Sequence, residues 1–415
     1  MYIYCGLPFM LWWAVCRKLR LISCDMKSKN VFFVLKAIGV SAAYIIGTEI
    51  MVLSFFYRYL LSICIVFLCL WGFMNLNQSD KLVKFHWILS SLMLAIFPAM
   101  PIEKGDDGSN TSLIFLGGLL WIILSILQFK RSLDITSMIQ ILFLLMSMLV
   151  VVSTRNNFKE RLGLPLKNMI VSWILLVVSP LFILVASLQI TLRLKHIGRG
   201  LAVPFILLSV GHEPIFLLTL FSHLEAWLKL ECFISKPSAN VDKMRFDDVA
   251  LSNANINNDD FRRCYLFLFY IIVCFFGTGN VASLSSFDPS WVRCFVATFS
   301  PFLMGGLIIL KTLIPFLMIT CYWHATNVIK KVTAKKLFLG VLIFSNIMGF
   351  HFLFLVQNEG SWLDIGTSIS HYVIMQTIVL VLLLIFGIAK CLTSIKLFSS
   401  KDIYIKKSLE FGKHY

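Results

Sequence analysis

The sequence predicts an all-α protein built as a polytopic bundle of transmembrane helices, and three properties of the chain support this prediction. Of its 415 residues, 59% are hydrophobic and 14% are charged, whereas a soluble domain is about 45–50% apolar and about 25% charged. The mean hydropathy is +0.85, and apolar runs long enough to cross a bilayer recur along the chain. Because lipid must solvate this apolar surface, the composition excludes a water-soluble globular protein.

The apolar runs predict about eleven spans of about 20 residues each, within a single membrane domain that covers residues 1–415. The predicted spans lie at about 1–16, 33–57, 59–76, 84–100, 112–129, 135–153, 168–191, 262–278, 291–322, 337–357 and 369–392. Residues 201–222 are also apolar, but Pro204, Gly211 and Pro214 interrupt them. This stretch is therefore predicted to be a broken or re-entrant segment made of two half-helices.

Lysine and arginine residues define the predicted orientation, because short cytosolic loops carry an excess of positive charge. Basic loops, such as the one with Arg193, Lys195 and Arg199, alternate with neutral or acidic loops if residues 201–222 enter and leave the membrane on one side. The N-terminus is then lumenal, and the C-terminus is cytosolic. A loop at about 223–261 and the basic tail at 393–415 are also cytosolic. Most of the net charge of +16 thus falls in cytosolic loops rather than on a nucleic-acid-binding surface.

Two features of the predicted lumenal side stand out. The loop at 154–167 carries Arg155, Lys159, Arg161 and Lys167, against the rule for lumenal loops. Either a span boundary differs there or these cations have a lumenal role. Asn110 begins an Asn-Thr-Ser sequon in a lumenal loop and is a candidate glycosylation site. Sequons are weak support for the topology, since a second one at Asn77 falls in a predicted cytosolic loop.

The sequence contains no motif of metal or hydrolytic catalysis. None of the eleven cysteines is spaced as C-x-x-C, and the eight histidines are scattered without a carboxylate cluster beside them. H-E-x-x-H, G-x-S-x-G, a Walker loop and a nucleotide-binding glycine motif are absent. The cysteines are interpreted as buried thiols that pack as small hydrophobes, and no metal site is predicted.

Polar residues within the apolar background are the candidate binding residues. His212 and Glu213 lie in the interrupted segment, where an ionisable pair is expensive and normally faces a protein-lined cavity. Alternatively, Glu213 caps the second half-helix at the membrane edge. Lys311 lies deep in the predicted span 291–322. It either snorkels from a tilted helix to the interface or pairs with Glu213 or a lipid phosphate.

A second group of candidates runs into the predicted last span, within residues 361–371. Asp364 and His371 could contact a lipid head group at the membrane surface, and Trp362 suits the interface. The alternative is a capping run of Asp, Thr and Ser at the start of a helix, with a histidine that snorkels.

Three strings in order resemble the carboxy-terminal membrane domain of the GPI ethanolamine phosphate transferase 1 family. They are RGLAVPFILLSVGHEP at 199–214, FFGTGNVASLSSFDP at 275–289 and SWLDIGTSISHYVI at 361–374. The opening YIYCGLP at 2–8 is also similar, and the likeness extends through nearly all of the chain. The resemblance implies an endoplasmic reticulum enzyme of GPI-anchor assembly, which transfers phosphoethanolamine from phosphatidylethanolamine to the first mannose of the GPI precursor.

The resemblance also implies that the chemistry lies outside this chain. Family members carry an amino-terminal lumenal domain of alkaline-phosphatase type, whose threonine nucleophile and zinc-binding Asp and His residues perform the transfer. None of these motifs occurs here, so no catalytic residue carries over and no cofactor is expected in this chain. The chain is expected to be a truncated product that is inactive alone, with the lumenal residue 1 where that domain would be attached.

The predicted role of this chain is to hold the lipid substrates with their head groups at the lumenal rim of the bundle. A phosphate needs a cation, and an ammonium needs a carboxylate or an aromatic ring. The candidate rim residues are Asp288, Asp364, His371, Lys159 and Arg161, while His212 and Glu213 shape the cavity from below. The alternative is a multi-span lipid or solute transporter or scramblase, for which a broken helix with intramembrane charges is typical. An acyltransferase that uses His212 is a third hypothesis.

Overall fold

The computed structural model describes residues 44–76, 81–100, 111–129, 134–235, 244–246, 258–278, 289–298, 300–332, 334–356, 359 and 361–396. Within these residues the chain forms twelve α-helices and no β-strand. The helices are α1 (Tyr44–Leu53), α2 (Tyr59–Asn75), α3 (Lys81–Ile96), α4 (Thr111–Phe129), α5 (Ile135–Lys159), α6 (Leu166–Phe182), α7 (Ile190–Leu207), α8 (Glu213–Ser235), α9 (Asn258–Gly277), α10 (Pro301–Ile329), α11 (Ala334–Phe354) and α12 (Trp362–Ser394). The predicted all-α class is confirmed over this part of the chain.

Helix α6 shows why the chain belongs in lipid. Its buried side carries Asn168, Ser172 and Ser179, whereas Ile174 and Leu181 point outward. This arrangement is the reverse of a soluble amphipathic helix, in which the apolar stripe faces the core. Small polar residues allow close helix packing inside a membrane bundle, and lipid solvates the apolar outer face.

Seven helices of the described part are long and apolar enough to cross a membrane, judged by length and composition. They are Lys81–Ala99, Thr111–Gln128, Ile135–Lys159, Leu166–Val185, Pro301–Ile329, Leu337–Phe354 and Ser368–Ser394. Helices α2 and α9, which correspond to two predicted spans, are not in this group: α2 has 17 residues and α9 begins with charged residues. The predicted span 1–16 lies outside the described residues. A multi-span membrane protein is therefore confirmed, and the number of eleven spans stays a prediction.

Helices α1, α2, α3, α9 and α11, with α12 as far as Ile385, form one compact unit, called unit 1 here. Helices α2 and α3 meet where Trp87 packs on Gly72. The Trp87 indole donates to the carbonyl of Cys69 at 3.2 Å, and a Cβ at Gly72 would collide with that indole. Elsewhere in the unit, the Cys264 thiol of α9 donates to the carbonyl of Leu337 in α11 at 3.1 Å.

Helices α4 to α8 and α10, with α12 from Phe386 onward, form the second compact unit, called unit 2. Helix α7 is its centre, since it packs against α4, α5, α6, α8 and α10. Nearly every residue of α7 from Arg193 to Leu207 is buried. Unit 2 therefore surrounds one helix that has almost no exposed face.

The predicted break within residues 201–222 is confirmed. Helix α7 ends at Leu207 and α8 begins at Glu213, and Gly211 between them has a φ of 62°, a left-handed conformation that glycine adopts without strain. The two helices pack antiparallel, because Gly198 of α7 lies against the ring of Phe221 in α8. With 18 and 23 residues, they extend about 27 and about 34 Å. They are thus much longer than the half-helices that the sequence predicted.

The longer helices change the predicted loops. Arg193, Lys195 and Arg199 were predicted in a basic cytosolic loop, but they lie within α7, where Arg193 and Arg199 are fully buried. The loop predicted at about 223–261 is shorter as well, since α8 continues to Ser235. Helix α8 extends because Trp227 and Leu230 find buried positions in unit 2. The predicted loop at 154–167 begins later for a similar reason, as α5 continues to Lys159.

Candidate functional site

The candidate site is a group of polar side chains at the α7–α8 break of unit 2. Glu213, the first residue of α8, accepts a hydrogen bond from the Lys311 ammonium at 2.6 Å through Oε1. Its other oxygen, Oε2, accepts one from the backbone N–H of Val210 at 2.7 Å. Glu213 is 5% exposed and Lys311 is 1% exposed. Both carboxylate oxygens are thus engaged in a site that excludes solvent.

Trp291 completes the surroundings of the Lys311 ammonium. This residue lies in a single turn of 3₁₀ helix at Pro289–Val292, and its ring centroid is 4.1 Å from Lys311 Nζ. A cation at this distance over an indole is attracted by the ring's negative face. The Trp291 indole N–H is buried and has no hydrogen-bond partner among the described residues. The site therefore combines a carboxylate, an aromatic face and an unused donor.

Two arginines lie beside this site. The Arg155 guanidinium, near the end of α5, donates to the carbonyl of Ser209 at 3.2 Å. Arg293 lies two residues after Trp291, and its guanidinium carbon is 5.5 Å from the centroid of the Phe158 ring. The more distal cations Lys159 and Arg161 are exposed. This end of unit 2 therefore carries exposed positive charge, whereas the buried charges of Glu213 and Lys311 form an ion pair.

Contacts from α4 hold the break in place, and a contact from α6 holds the segment that follows Trp291. The Trp121 indole donates to the carbonyl of Pro214 at 3.2 Å, and a Cβ at Gly117 would lie 2.8 Å from Pro214 Cβ. From α6, the Trp173 indole donates to the carbonyl of Phe295 at 3.2 Å, which anchors the chain just after Trp291. The carboxylate and the aromatic ring are thus positioned by separate elements.

The structure decides between the two interpretations of Lys311. The ammonium pairs with Glu213 and is buried, so it does not extend outward as a snorkelling side chain would. The helix around it starts at Pro301 rather than at the predicted residue 291, so Lys311 lies in its third turn. Glu213 also takes the first position of α8, where a carboxylate favours the helix N-terminus. His212 is adjacent to this pair and half-buried.

The other predicted site residues lie in unit 1 or outside the described part. His371 is buried, and its ring lies 5.7 Å from that of Phe55 and 5.3 Å from that of Phe56. The Nδ1 atom of His371 has no hydrogen-bond partner among the described residues. Asp364 belongs to the first turn of α12. Asp288 and Asn110 lie outside the described residues.

Sequence reasoning missed the buried polar groups of α7. Arg193 donates to four backbone carbonyls, those of Ile183, Ala186, Leu392 and Ile395, at 2.6 to 2.9 Å. One turn further along, His196 Nδ1 lies 2.8 Å from the side-chain oxygen of Gln140. The spacing of Arg193, His196 and Arg199, three residues apart in each case, was the available signal, because it places them on one helix face.

These features define a class of protein. The chain is a multi-span integral membrane protein whose polar groups gather at a helix break inside the bundle, where irregular backbone can meet polar ligands. Among the described residues, no group of three His, Cys, Asp or Glu side chains could hold a metal ion.

Comparison with known proteins then gives the family. The family model of phosphatidylinositolglycan class N (PIG-N) matches residues 1–361, and the chain belongs to this family. GPI ethanolamine phosphate transferase 1 of Homo sapiens is 37% identical over 414 residues, which cover 95% of this chain and 44% of the human protein. The protein of the same name in Mus musculus matches equally, and that of Aspergillus oryzae is 31% identical over 80% of this chain and 37% of its own length.

The chain thus spans less than half the length of the curated relatives that it matches. No solved structure matches it significantly. The match to the PIG-N family confirms the resemblance found in the sequence.

Proposed function

We propose that this chain is the membrane portion of a phosphoethanolamine transferase of the endoplasmic reticulum, and that it binds the lipid substrates and presents their head groups. The donor is phosphatidylethanolamine, and the acceptor is the first mannose of the GPI precursor. In this proposal the residues that perform the transfer lie in the region of the relatives that this chain does not match. The N-terminus is lumenal and the C-terminus is cytosolic.

The buried pair of Glu213 and Lys311 carries the proposal. An ion pair costs more in a membrane interior than an apolar pair of the same volume, so its presence at a helix break favours a binding role over a purely structural one. The basic rim with Arg155, Arg293 and Lys159 suits a phosphate. Four further residues are proposed to contact the lipid head groups: His212 and Asp288 of unit 2, and Asp364 and His371 of unit 1.

A chimera tests this proposal. We expect that this chain, in place of the matching region of the human relative, restores phosphoethanolamine on the first mannose in cells that lack the human enzyme. We expect no restoration by the chain alone, and reduced transfer by chimeras with Asp364→Ala or His371→Ala. A chimera that reaches the membrane at normal abundance but transfers nothing contradicts the assigned function, and transfer by the chain alone contradicts the placement of the chemistry.

A lipid transporter or scramblase is the second candidate, because the observed break at Gly211 with a charged pair beside it is typical of transporters. Reconstitution in proteoliposomes separates the two functions. Lipid flux through the chain, together with a chimera that transfers no phosphoethanolamine, would favour transport over substrate presentation.

A further inference from the structure

The surroundings of the Lys311 ammonium are those of a receptor for a primary ammonium. A carboxylate oxygen lies at 2.6 Å and an indole face at 4.1 Å, which are the two groups that attract such a cation most strongly. The carboxylate is fixed independently of Lys311, since Val210 holds Glu213 Oε2 at 2.7 Å. The receptor would therefore keep its form if another ammonium took the place of Lys311.

The pair also matches a zwitterion in its arrangement of charge. A phosphoethanolamine head group carries an ammonium at one end and a phosphate at the other. If its ammonium took the Glu213 position, the displaced Lys311 ammonium would face a free phosphate. One buried ion pair would then become two, with no uncompensated charge left in the membrane, which is the condition that makes buried charges tolerable.

The indole N–H of Trp291 gives an independent reason to expect a ligand here. It is buried without a hydrogen-bond partner among the described residues, and leaving such a donor unsatisfied is unfavourable. Lys311 cannot satisfy it, because an ammonium has donors and no acceptor. A phosphate or ester oxygen of a head group is an acceptor and could do so.

The first turns of α10 leave space for a lipid to approach. Phe302 is 95% exposed, and a Cβ built on Gly305 or Gly306 would meet no atom of the described residues within 4 Å. Lys311 follows on the same helix, less than two turns after Gly306. A lipid lying along this part of α10 has its head group close to the site.

We propose that Glu213 and Trp291 form the ammonium-binding subsite for a phosphoethanolamine head group, and that Lys311 occupies this subsite in the resting chain and pairs with the phosphate when the head group enters. The proposal rests on the proposed function for the choice of ligand. It assigns to Lys311 two alternating partners, Glu213 without ligand and the phosphate with ligand.

Rescue by a small amine tests the subsite without any transfer reaction. The Lys311→Ala chain, purified in lipid nanodiscs of phosphatidylcholine, lacks the resident ammonium and has room for another. We expect ethanolamine to raise its unfolding temperature in a saturable way, as a ligand of the folded state does. Tetramethylammonium at the same ionic strength should raise it less, because it has no N–H donor for the Glu213 carboxylate.

Two matched variants control this rescue. Lys311→Met fills the space with an apolar side chain, and the double variant Lys311→Ala with Glu213→Gln removes the carboxylate. Neither should respond to ethanolamine. Equal stabilisation of all three variants, or none of Lys311→Ala, overturns the subsite.

Lipid binding to the unmutated chain keeps the proposal falsifiable if Lys311→Ala does not fold. We expect the chain to prefer phosphatidylethanolamine over phosphatidylcholine by about tenfold in affinity, the equivalent of one charge-assisted hydrogen bond. Glu213→Gln should abolish this preference, whereas Thr312→Ala, a change next to Lys311, should retain it. Equal affinity for the two lipids overturns the proposal.

Competition with soluble phosphoethanolamine distinguishes binding of the head group from binding of the rest of the lipid. Competition between it and bound phosphatidylethanolamine supports a head-group site, and binding of the lipid that phosphoethanolamine does not compete contradicts one. The proposed function fails independently of these results. A chimera that transfers no phosphoethanolamine, although the amine rescue succeeds, removes the assigned reaction and leaves the ammonium subsite in place.

Discussion

Arg193 shows at the scale of one residue how backbone carbonyls accommodate a charge inside unit 2. Its guanidinium donates to the carbonyls of Ile183 and Ala186 before α7 and to those of Leu392 and Ile395 at the end of α12. Carbonyls at a helix end have no partner within the helix. A planar fork with five donors can satisfy several of them at once, which an ammonium on a flexible stem cannot do in the same way.

We expect Arg193→Met to lower the stability of the chain by roughly 3 kcal/mol or more, because buried carbonyls are left without donors at about 1–3 kcal/mol each. Arg193→Lys should recover only part of the loss. Thermal unfolding followed by size-exclusion chromatography in detergent measures this. Lys195→Met, two residues along α7 and half-buried, is the matched control and should unfold near the unmutated chain. An Arg193→Met chain as stable as this control would show that the four hydrogen bonds contribute little.

Single residues also show how much of the site could be predicted from the sequence. Glu213 and Lys311 were both recognised as candidates, since ionisable residues in apolar runs are conspicuous. Their pairing remained one of several alternatives because 98 positions separate them. The roles of Trp291 and Arg155 depend on the folding of distant elements against the break, and no local pattern contains that information.

At the scale of elements, α7 and α8 are a hairpin of two long helices whose close approach depends on Gly198. A Cβ at this position would collide with the Phe221 ring. Gly211 and Pro214 correctly indicated the break, because their effect is local. Pro204, which was also predicted to interrupt the segment, lies inside α7 instead. The helix ends were predicted less well. The charge pattern predicted loops at Arg193 and Trp227, but both residues are buried in unit 2 and remain helical.

We expect Gly198→Leu to destabilise the chain by about 1–3 kcal/mol through overpacking at the hairpin, with smaller losses for Gly198→Ala. Combining Gly198→Ala with Phe221→Leu should recover part of the loss, because the smaller side chain gives the Cβ room. Gly305→Ala in α10, where a Cβ meets no atom of the described part of the chain within 4 Å, should instead be neutral or stabilise by up to about 1 kcal/mol. Thermal unfolding of the four variants checks this, and equal losses at both glycines would contradict the close approach.

At the scale of the whole molecule, the structure constrains which connections share a side of the membrane. The beginning of α4 lies near the α7–α8 break through the contact of Gly117 with Pro214, and the end of α5 lies there through Arg155 and Ser209. The beginning of α4 and the end of α5 are therefore on one side. The end of α4 and the beginning of α5 are on the other, since α4 and α5 are both long enough to span.

The acidic residues Glu103, Asp106 and Asp107 before α4, and the basic residues Lys130 and Arg131 after it, predict that the first of these sides is the lumen. Glycosylation mapping tests this prediction. A peptide with an acceptor sequon, inserted after Leu162 between α5 and α6, should acquire an endoglycosidase-sensitive glycan, as should the natural sequon at Asn110. The same peptide inserted after Ser132, between α4 and α5, should remain unmodified. Glycans after Ser132 and none after Leu162 would invert the orientation while keeping the fold, and glycans at both places would contradict the spans themselves. The basic residues from Arg155 to Lys167 make this a demanding test, because charge alone would place them in the cytosol, whereas the packing of α5 against the break requires them on the side of Asn110.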